Sequence, residues 1–445
     1  MNSHRWDDWD TLRELRDTPR VRELLDELAG GGSELQVQTR LRAEFPERLV
    51  RAAVSLRELR RKGVAKFSRA DAMWFDRQGL EQATSEAVAM HKAKRFANGI
   101  SPPSAKSAEE SASEVDLSTL APHPRPLSPS GGEGGLVWDF CCGIGADAIA
   151  LAEYCDVIAV DVRPENCLRT HWNAEVYGRS ERVTPLCADV ERLDSREGWL
   201  HFDPDRRASG AGRVVRIEDY VPGLEFMQRM TREFRGGAIK LSPAANFGGK
   251  FSGNQQPGCS RQPGCSGVEI ELVSLDGECK EATVWFGELA GPTATRATVL
   301  PAGCTLTGDP LAALVDFSEP LRYVYDPDPA VVRAGLVDVL AETLGLQRLD
   351  PEEEYLTSDR LVVSPFVRGF EVLANLPNND RAIRDFFRTS DFGDVEIKCR
   401  HIPIQAEVVR RKLPLPGSTR GTLVFARVAG KSRALICRRV EVLSS

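Results

Sequence analysis

Asp139, Asp161 and Asp189 each stand at or just past the end of a short apolar run, spaced as a set of ligand-facing carboxylates. The first lies just before Cys141-Cys-Gly-Ile-Gly145, a turn whose two glycines let the backbone approach a ligand before a helix opens. Taken alone, Gly143-x-Gly145-x-x-Ala148 also fits a dinucleotide fold, with a pyrophosphate on the helix N-terminus. A carboxylate at position 139 would repel a pyrophosphate, but it would suit the cationic amino acid end of S-adenosylmethionine. Asp161 follows Gly143 by 18 residues, where a ribose-binding carboxylate belongs. Asp189 follows the next run and can accept a hydrogen bond from an adenine amino group. Any one of these aspartates would be an ordinary cap or turn residue; the three together with the glycine turn make a site.

A fourth apolar run ends in Phe202-Asp-Pro-Asp-Arg-Arg207, where a doubly wound sheet places substrate chemistry. Asp203 could position or polarise a target amine, and Pro204 would preset the loop's φ. Arg206 and Arg207 could clamp a phosphate, since guanidinium matches it bidentately, or could form a solvated surface turn.

The elements that must hold these residues are legible in the apolar rhythm. Leu136–Cys141, Val157–Asp161, Val183–Cys187, Trp199–Asp203 and Ala238–Leu241 read as strands with helical segments between most of them, a doubly wound α/β sheet. Val268–Ser274 and Glu281–Glu288 flank Asp276-Gly277, a turn dipeptide, and predict a closing antiparallel hairpin. Leu12, Leu15, Val21, Leu24, Leu25 and Leu28, then Leu41, Leu49, Val50, Val54 and Leu59, recur at helical steps and predict an amphipathic helical region over 1–100. Thr84 or Ser85 can cap a further helix from Glu86. Residues 101–135 are rich in Pro, Gly and Ser and read as a flexible insertion in front of a sheet domain at 136–295. A second insertion, 253–267, repeats Gln-Pro-Gly-Cys-Ser. After a connecting extension over 296–368 with a helix at Pro329–Leu344, the tail 369–442 has the order strand, helix, strand, helix, strand, strand.

Composition narrows the classes. With 445 residues the chain is too long for one small module. Its 58 Lys and Arg against 65 Asp and Glu give a net charge of −7, which excludes a uniformly basic protein. No apolar run reaches the ~20 residues of a membrane span, and Met1–Asp10 lacks the apolar core of a secretory signal, so a soluble cytoplasmic protein is expected. Eleven cysteines with no paired Cys-x-x-Cys and no clustered histidines predict reduced thiols and no metal site. The oligomeric state is left open. The average charge hides an asymmetry, because Glu396–Val440 carries +9 and the rest −16, while Arg40–Arg69 carries +7. Such local excess suits a phosphate backbone, although basic runs are often solvated faces.

Asp139-Phe-Cys-Cys-Gly-Ile-Gly-Ala-Asp147, Asp161-x-x-Pro164 with Asn173-Ala-Glu-Val-Tyr-Gly178, and Asp203-Pro-Asp-Arg-Arg207 together resemble class I S-adenosylmethionine-dependent methyltransferases with a THUMP-like C-terminal domain. Gly79-Leu-Glu-Gln-Ala-Thr84, Tyr325-Asp-Pro-Asp-Pro-Ala330, Tyr355-Leu-Thr-Ser-Asp359 and the tail with Ile397-Lys398 and Arg400 extend the likeness over about Phe67–Val440. Asp139–Gly178 is also similar to RNA cap methyltransferases of the trimethylguanosine synthase type. The resemblance implies a Rossmann-like methyltransferase sheet and S-adenosylmethionine as cofactor. It places Asp139, Cys141, Gly143 and Gly145 on the methionine part, Asp161 and Val162 on the ribose, and Asp189 and Val190 on the adenine. Asp203, Pro204 and Arg206 fall at the methyl-transfer site, with Asp205 and Arg206 where amino-methylating enzymes often carry proline and a stacking aromatic. Lys240-Leu-Ser-Pro243 offers no cysteine of the kind used in uridine C5 methylation. RNA, as tRNA or rRNA, is the implied partner, with Arg207, Lys398, Arg400, Arg410, Arg411 and Lys412 as its candidate contacts. The alternatives are a protein or small-molecule substrate, or an RNA-binding protein that retains the cofactor fold without catalysis.

Overall fold

The computed structural model describes residues 9–29, 34–100, 135–194, 197–206, 216–247, 249–251 and 267–440. Nearly all of both expected insertions, and Arg207, lie outside the described residues. The chain forms two units, Met1–Ser260 with Val284–Ala290, and Arg261–Thr283 with Gly291–Ser445.

The first unit begins with helices α1 (Trp9–Asp17), α2 (Pro19–Ala29), α3 (Glu34–Glu44) and α4 (Glu47–Gly63). Their leucines and valines at three- and four-residue steps merge into one core that continues through Trp74 and Phe75 onto Ile144, Leu168 and Trp172. The rings of Trp74 and Trp172 lie 4.8 Å apart. Helices α5 (Arg77–Gln82) and α6 (Glu86–Gly99) follow. Ser85 is the N-cap of α6 by backbone but makes no side-chain cap bond. The hydroxyl of Thr84 is committed elsewhere, to Asp147 at 2.7 Å.

The sheet then alternates β1 (Leu136–Phe140), α7 (Ala146–Leu151), β2 (Asp156–Asp161), α8 (Pro164–Val176), β3 (Val183–Cys187), β4 (Trp199–Phe202), α9 (Leu224–Glu233) and β5 (Gly236–Leu241). The five strands are parallel in the order β3-β2-β1-β4-β5. Next to β5 lies the end of β7 (Glu278–Gly287), Val284–Gly287, which belongs to this unit. β5 is buried along its whole length, as a strand covered by helices on both faces should be. The order reverses between β1 and β4, so their carboxyl ends open a crevice for a ligand.

In the second unit β6 (Val268–Leu275) turns through Asp276 and Gly277, at φ 54° and 78°, into the front of β7. Positive φ at both central residues is what a tight hairpin turn demands. β8 (Thr295–Leu300) pairs parallel with β6, and β9 (Cys304–Thr307) pairs antiparallel with β8. Neither strand was expected. A second sheet, in the order β11-β12-β10-β13-β16-β15-β14, is built from β10 (Tyr323–Pro327), β11 (Gln347–Arg348), β12 (Leu356–Ser358), β13 (Val367–Pro377), β14 (Phe392–Cys399), β15 (Thr419–Val428) and β16 (Lys431–Arg439). Between strands run α10 (Pro329–Arg333), α11 (Val337–Leu344), α12 (Asp380–Arg388) and α13 (Ala406–Lys412). The single helix expected at Pro329–Leu344 is therefore two, broken at Gly335, whose φ is +71°. β15 alternates as period two requires: Val424 and Ala426 join one core, Leu423 and Phe425 the other.

Candidate active site

Asn173 on α8 anchors the glycine turn. Its carboxamide accepts from Trp74 N at 2.7 Å and donates to the carbonyls of Trp74 and Ile144 at 3.0 and 2.9 Å. Gly143 and Gly145 take left-handed φ of 57° and 83°. A Cβ on Gly143 would meet no atom within 4 Å, whereas one on Gly145 would sit about 3 Å from the backbone and side chain of Thr170. Cys141 also adopts a positive φ, 60°, at an expected cost of about 1–2 kcal/mol. Burial, reinforced by Asp161 and Asp203, pushes its thiol well above the ordinary range, so it stays neutral and is no nucleophile.

At the carboxyl ends of β1, β2 and β4 lies a cavity of about 550 Å³, a size that encloses a cofactor; Gly145 shapes the turn beside it but does not line it. Cys141, Gly143, Asp161, Val162, Asp189, Val190, Asp203, Pro204 and Arg206 all face it. Asp161 is held by the backbone N–H of Gly143 at 3.0 Å, that of Arg163 at 2.9 Å and the Asn166 amide at 3.0 Å. Burial nevertheless raises its pKa above the usual carboxylate value, against the pull of those three donors. Asp189 caps the short turn after β3, accepting from Glu191 N at 3.0 Å.

Asp139 departs from its expected place. It is 1% exposed, does not line the cavity, and bonds His201 Nδ1 at 2.7 Å. The reason is its register: it lies inside β1, opposite Ala159 on β2 and His201 on β4. His201 passes the contact on to Lys92 at 3.3 Å, and Lys92 pairs with Asp147 at 2.9 Å. Asp147 does line the cavity. Burial would raise its pKa, yet Lys92, His201 and Lys240 hold it below the usual carboxylate range, while for Asp139 burial wins and the shift is upward. In the same cavity Lys240 pairs with Asp203 at 2.6 Å, and Gln82 on α5 donates to Asp205 at 3.0 Å. Lys92, Asp147, His201, Lys240 and Gln82 were not singled out from sequence. Two of them carried a signal, because His201 and Lys240 each interrupt an otherwise apolar strand.

The candidate RNA contacts separate. Lys398 and Arg400 are corrected from surface cations to internal struts, for both reach Asp326 at 3.0 and 2.6 Å, and their side chains are only 15% and 20% exposed. The half-buried Arg410 lies 3.9 Å from Asp394, and Lys412 pairs with Asp380 at 2.9 Å; Lys412 and both carboxylates are exposed. Arg411 is exposed on α13 beside them. Four of the ten cations of the earlier basic stretch have acidic partners, in Arg48–Glu14, Arg51–Glu47, Arg57–Asp26 and Lys62–Glu58. Arg60 is tied to the carbonyls of Ala72 and Met73, its pKa lowered by burial to about 10.

The sequence model of the RNA cap guanine-N2 methyltransferase family matches residues 134–228, and that of the THUMP domain-like family matches 367–439. Two uncharacterised S-adenosylmethionine-dependent methyltransferases of Mycobacterium tuberculosis, from strains CDC 1551 and H37Rv, are each 31% identical over 371 residues, 82% of this chain and 88% of theirs. A crystal structure of a methyltransferase candidate from Porphyromonas gingivalis W83 shares the fold, with a TM-score of 0.68 at 19% identity, over 96% of this chain and 99% of that one. The acidic cavity fits the cationic cofactor that these relatives are named for. The chain thus belongs to the class I S-adenosylmethionine-dependent methyltransferases, with a THUMP-like domain at its C-terminal end.

Proposed function

We propose that the protein methylates RNA, a tRNA or rRNA, at the end of the cavity marked by Asp203. S-adenosylmethionine, when bound, supplies an electrophilic methyl group on a sulfonium, and catalysis is then chiefly positioning. In this reading Cys141, Gly143 and Gly145 hold the methionine part by backbone approach, with Asp147 as the nearest carboxylate and Asp139 supporting it from behind through His201 and Lys92. Asp161 accepts from the ribose hydroxyls beside Val162, and Asp189 with Val190 receives the adenine. Asp203 accepts a hydrogen bond from the target group, Pro204 fixes the loop, and Arg206 meets a target phosphate. The fixed, anionic lining needs no reorganisation to meet a positive charge.

The observation that carries the RNA reading is the joint presence in one chain of this cavity and a THUMP-like domain with exposed cations at Arg411 and Lys412 beside the half-buried Arg410. The description of the family matched at 134–228, an RNA cap guanine-N2 methyltransferase, agrees with it. A protein or small-molecule substrate is favoured by one observation, that several of the tail's cations already have acidic partners. Labelled methyl transfer to total RNA from cells lacking the gene decides between them. The RNA reading predicts incorporation into tRNA or rRNA that falls steeply with salt; binding of cofactor without any incorporation contradicts it. Among the described residues no helix is long and apolar enough to cross a membrane.

A further inference from the structure

Lys240 is the next-to-last residue of Gly236-Gly-Ala-Ile-Lys-Leu241, a strand buried along its length, and it is itself 5% exposed. A buried ammonium is strongly disfavoured unless it is paired and hydrogen-bonded. Both of its partners, Asp203 and Gln82, line the cavity. Nζ donates to Asp203 Oδ2 at 2.6 Å and to the carbonyl of Gln82 on α5 at 3.2 Å. The backbone of Asp203 is fixed as well, through its N–H to Phe140 O at 3.1 Å. Among the described residues nothing hydrogen-bonds Asp203 Oδ1, and Asp203 lines the cavity with its side chain 25% exposed.

We propose that Lys240 is a positioning residue for methyl transfer: by holding Oδ2 of Asp203 it leaves Oδ1 turned to the group that accepts the methyl. The inference rests on Asp203 being the acceptor-facing carboxylate, and it holds for any acceptor that donates an N–H or O–H. Gln82 links the same pair to α5, since its side chain also donates to Asp205 at 3.0 Å.

Sinefungin tests this without a methyl acceptor, because it carries an amine where the cofactor carries its transferable methyl. S-adenosylhomocysteine, which has nothing there, is the reference. Calorimetry of both on the full chain gives a preference for sinefungin, to be compared in wild type, Lys240→Met, Asp203→Asn and the double variant. Positioning predicts that Lys240→Met loses about tenfold of the preference, the worth of one charge-assisted hydrogen bond, while S-adenosylhomocysteine affinity holds within about threefold. It also predicts that the double variant loses no more than Asp203→Asn alone, since Lys240 acts through Asp203. A role in charge balance alone predicts the opposite sign, because removing a cation near the amine would strengthen sinefungin. An unchanged or increased preference in Lys240→Met overturns the proposal. If Asp203→Asn keeps the preference, the acceptor assignment fails first and takes the proposal with it. Should Lys240→Met not fold, Lys240→Gln must lose at least threefold of the preference; retention of it would equally overturn the proposal.

Discussion

The acidic cavity and the THUMP-like domain use ion pairs in opposite ways. Around the cavity the pairs are buried: Lys92–Asp147 has side chains 1% and 9% exposed. On α13 they are open: Lys412–Asp380 is 50% and 67% exposed at the same 2.9 Å separation. Equal distance therefore does not mean equal role. A buried pair fixes geometry, because neither partner can be left without the other. An exposed pair is worth little, and its cation can trade a carboxylate for a phosphate. Lys398 and Arg400 show that the division is not simply between the two units, for both behave like the cavity's pairs although they lie in the basic tail.

Breaking a buried pair should have the largest effect. Lys92→Met strands Asp147 without its ammonium and is expected to lower unfolding free energy by about 3–5 kcal/mol, read by urea titration. The pH dependence follows from the sign of the Asp147 shift. Its pKa is lower folded than unfolded, so its contribution is present above the ordinary carboxylate range and fades as pH falls below it. That loss on acidification should be blunted in Lys92→Met.

Arg400→Met comes next, because Arg400 gives Asp326 a charge-assisted bond at 2.6 Å in a partly buried place. A cost of about 1.5–3 kcal/mol is expected, with no change in the salt dependence of RNA binding. Arg411→Ala should do the reverse, leaving stability within about 0.5 kcal/mol while flattening the salt slope for RNA by roughly 0.7–0.9, the share of one phosphate contact. Lys412→Met, which breaks the exposed pair, should cost only about 0–1 kcal/mol. A cost near that of Lys92→Met would erase the contrast between the two regions.

Much of the fold was legible because strands of the parallel sheet are short apolar runs bounded by turn residues, so Val183–Cys187 could be read to the residue. The strands β8 to β12 were missed since Thr295–Leu300 carries Thr and Arg, and Gln347–Arg348 is two residues long. In the site, the glycine turn and Asp161 could be found from spacing, as backbone conformation and strand ends leave local marks. The partners of Asp139 could not, because His201 is 62 residues away and meets it only through the register of β4 beside β1. The same holds for Lys398 and Arg400, where sequence shows a positive run and only the folded sheet supplies Asp326.

The assignment of the acidic cavity as the cofactor site is tested most directly by calorimetric titration with S-adenosylmethionine of the wild type and Asp161→Ala. Asp161 is central to the lining and accepts three hydrogen bonds, one from the glycine turn itself. Wild-type affinity should weaken on acidification at a pH above that of an ordinary carboxylate, since the burial of Asp161 lets it take up a proton early. The account predicts that Asp161→Ala weakens binding by roughly 10- to 100-fold, the worth of a charged hydrogen-bond acceptor, with the fold retained. Unaltered affinity in a folded Asp161→Ala would place the cofactor elsewhere and contradict the account.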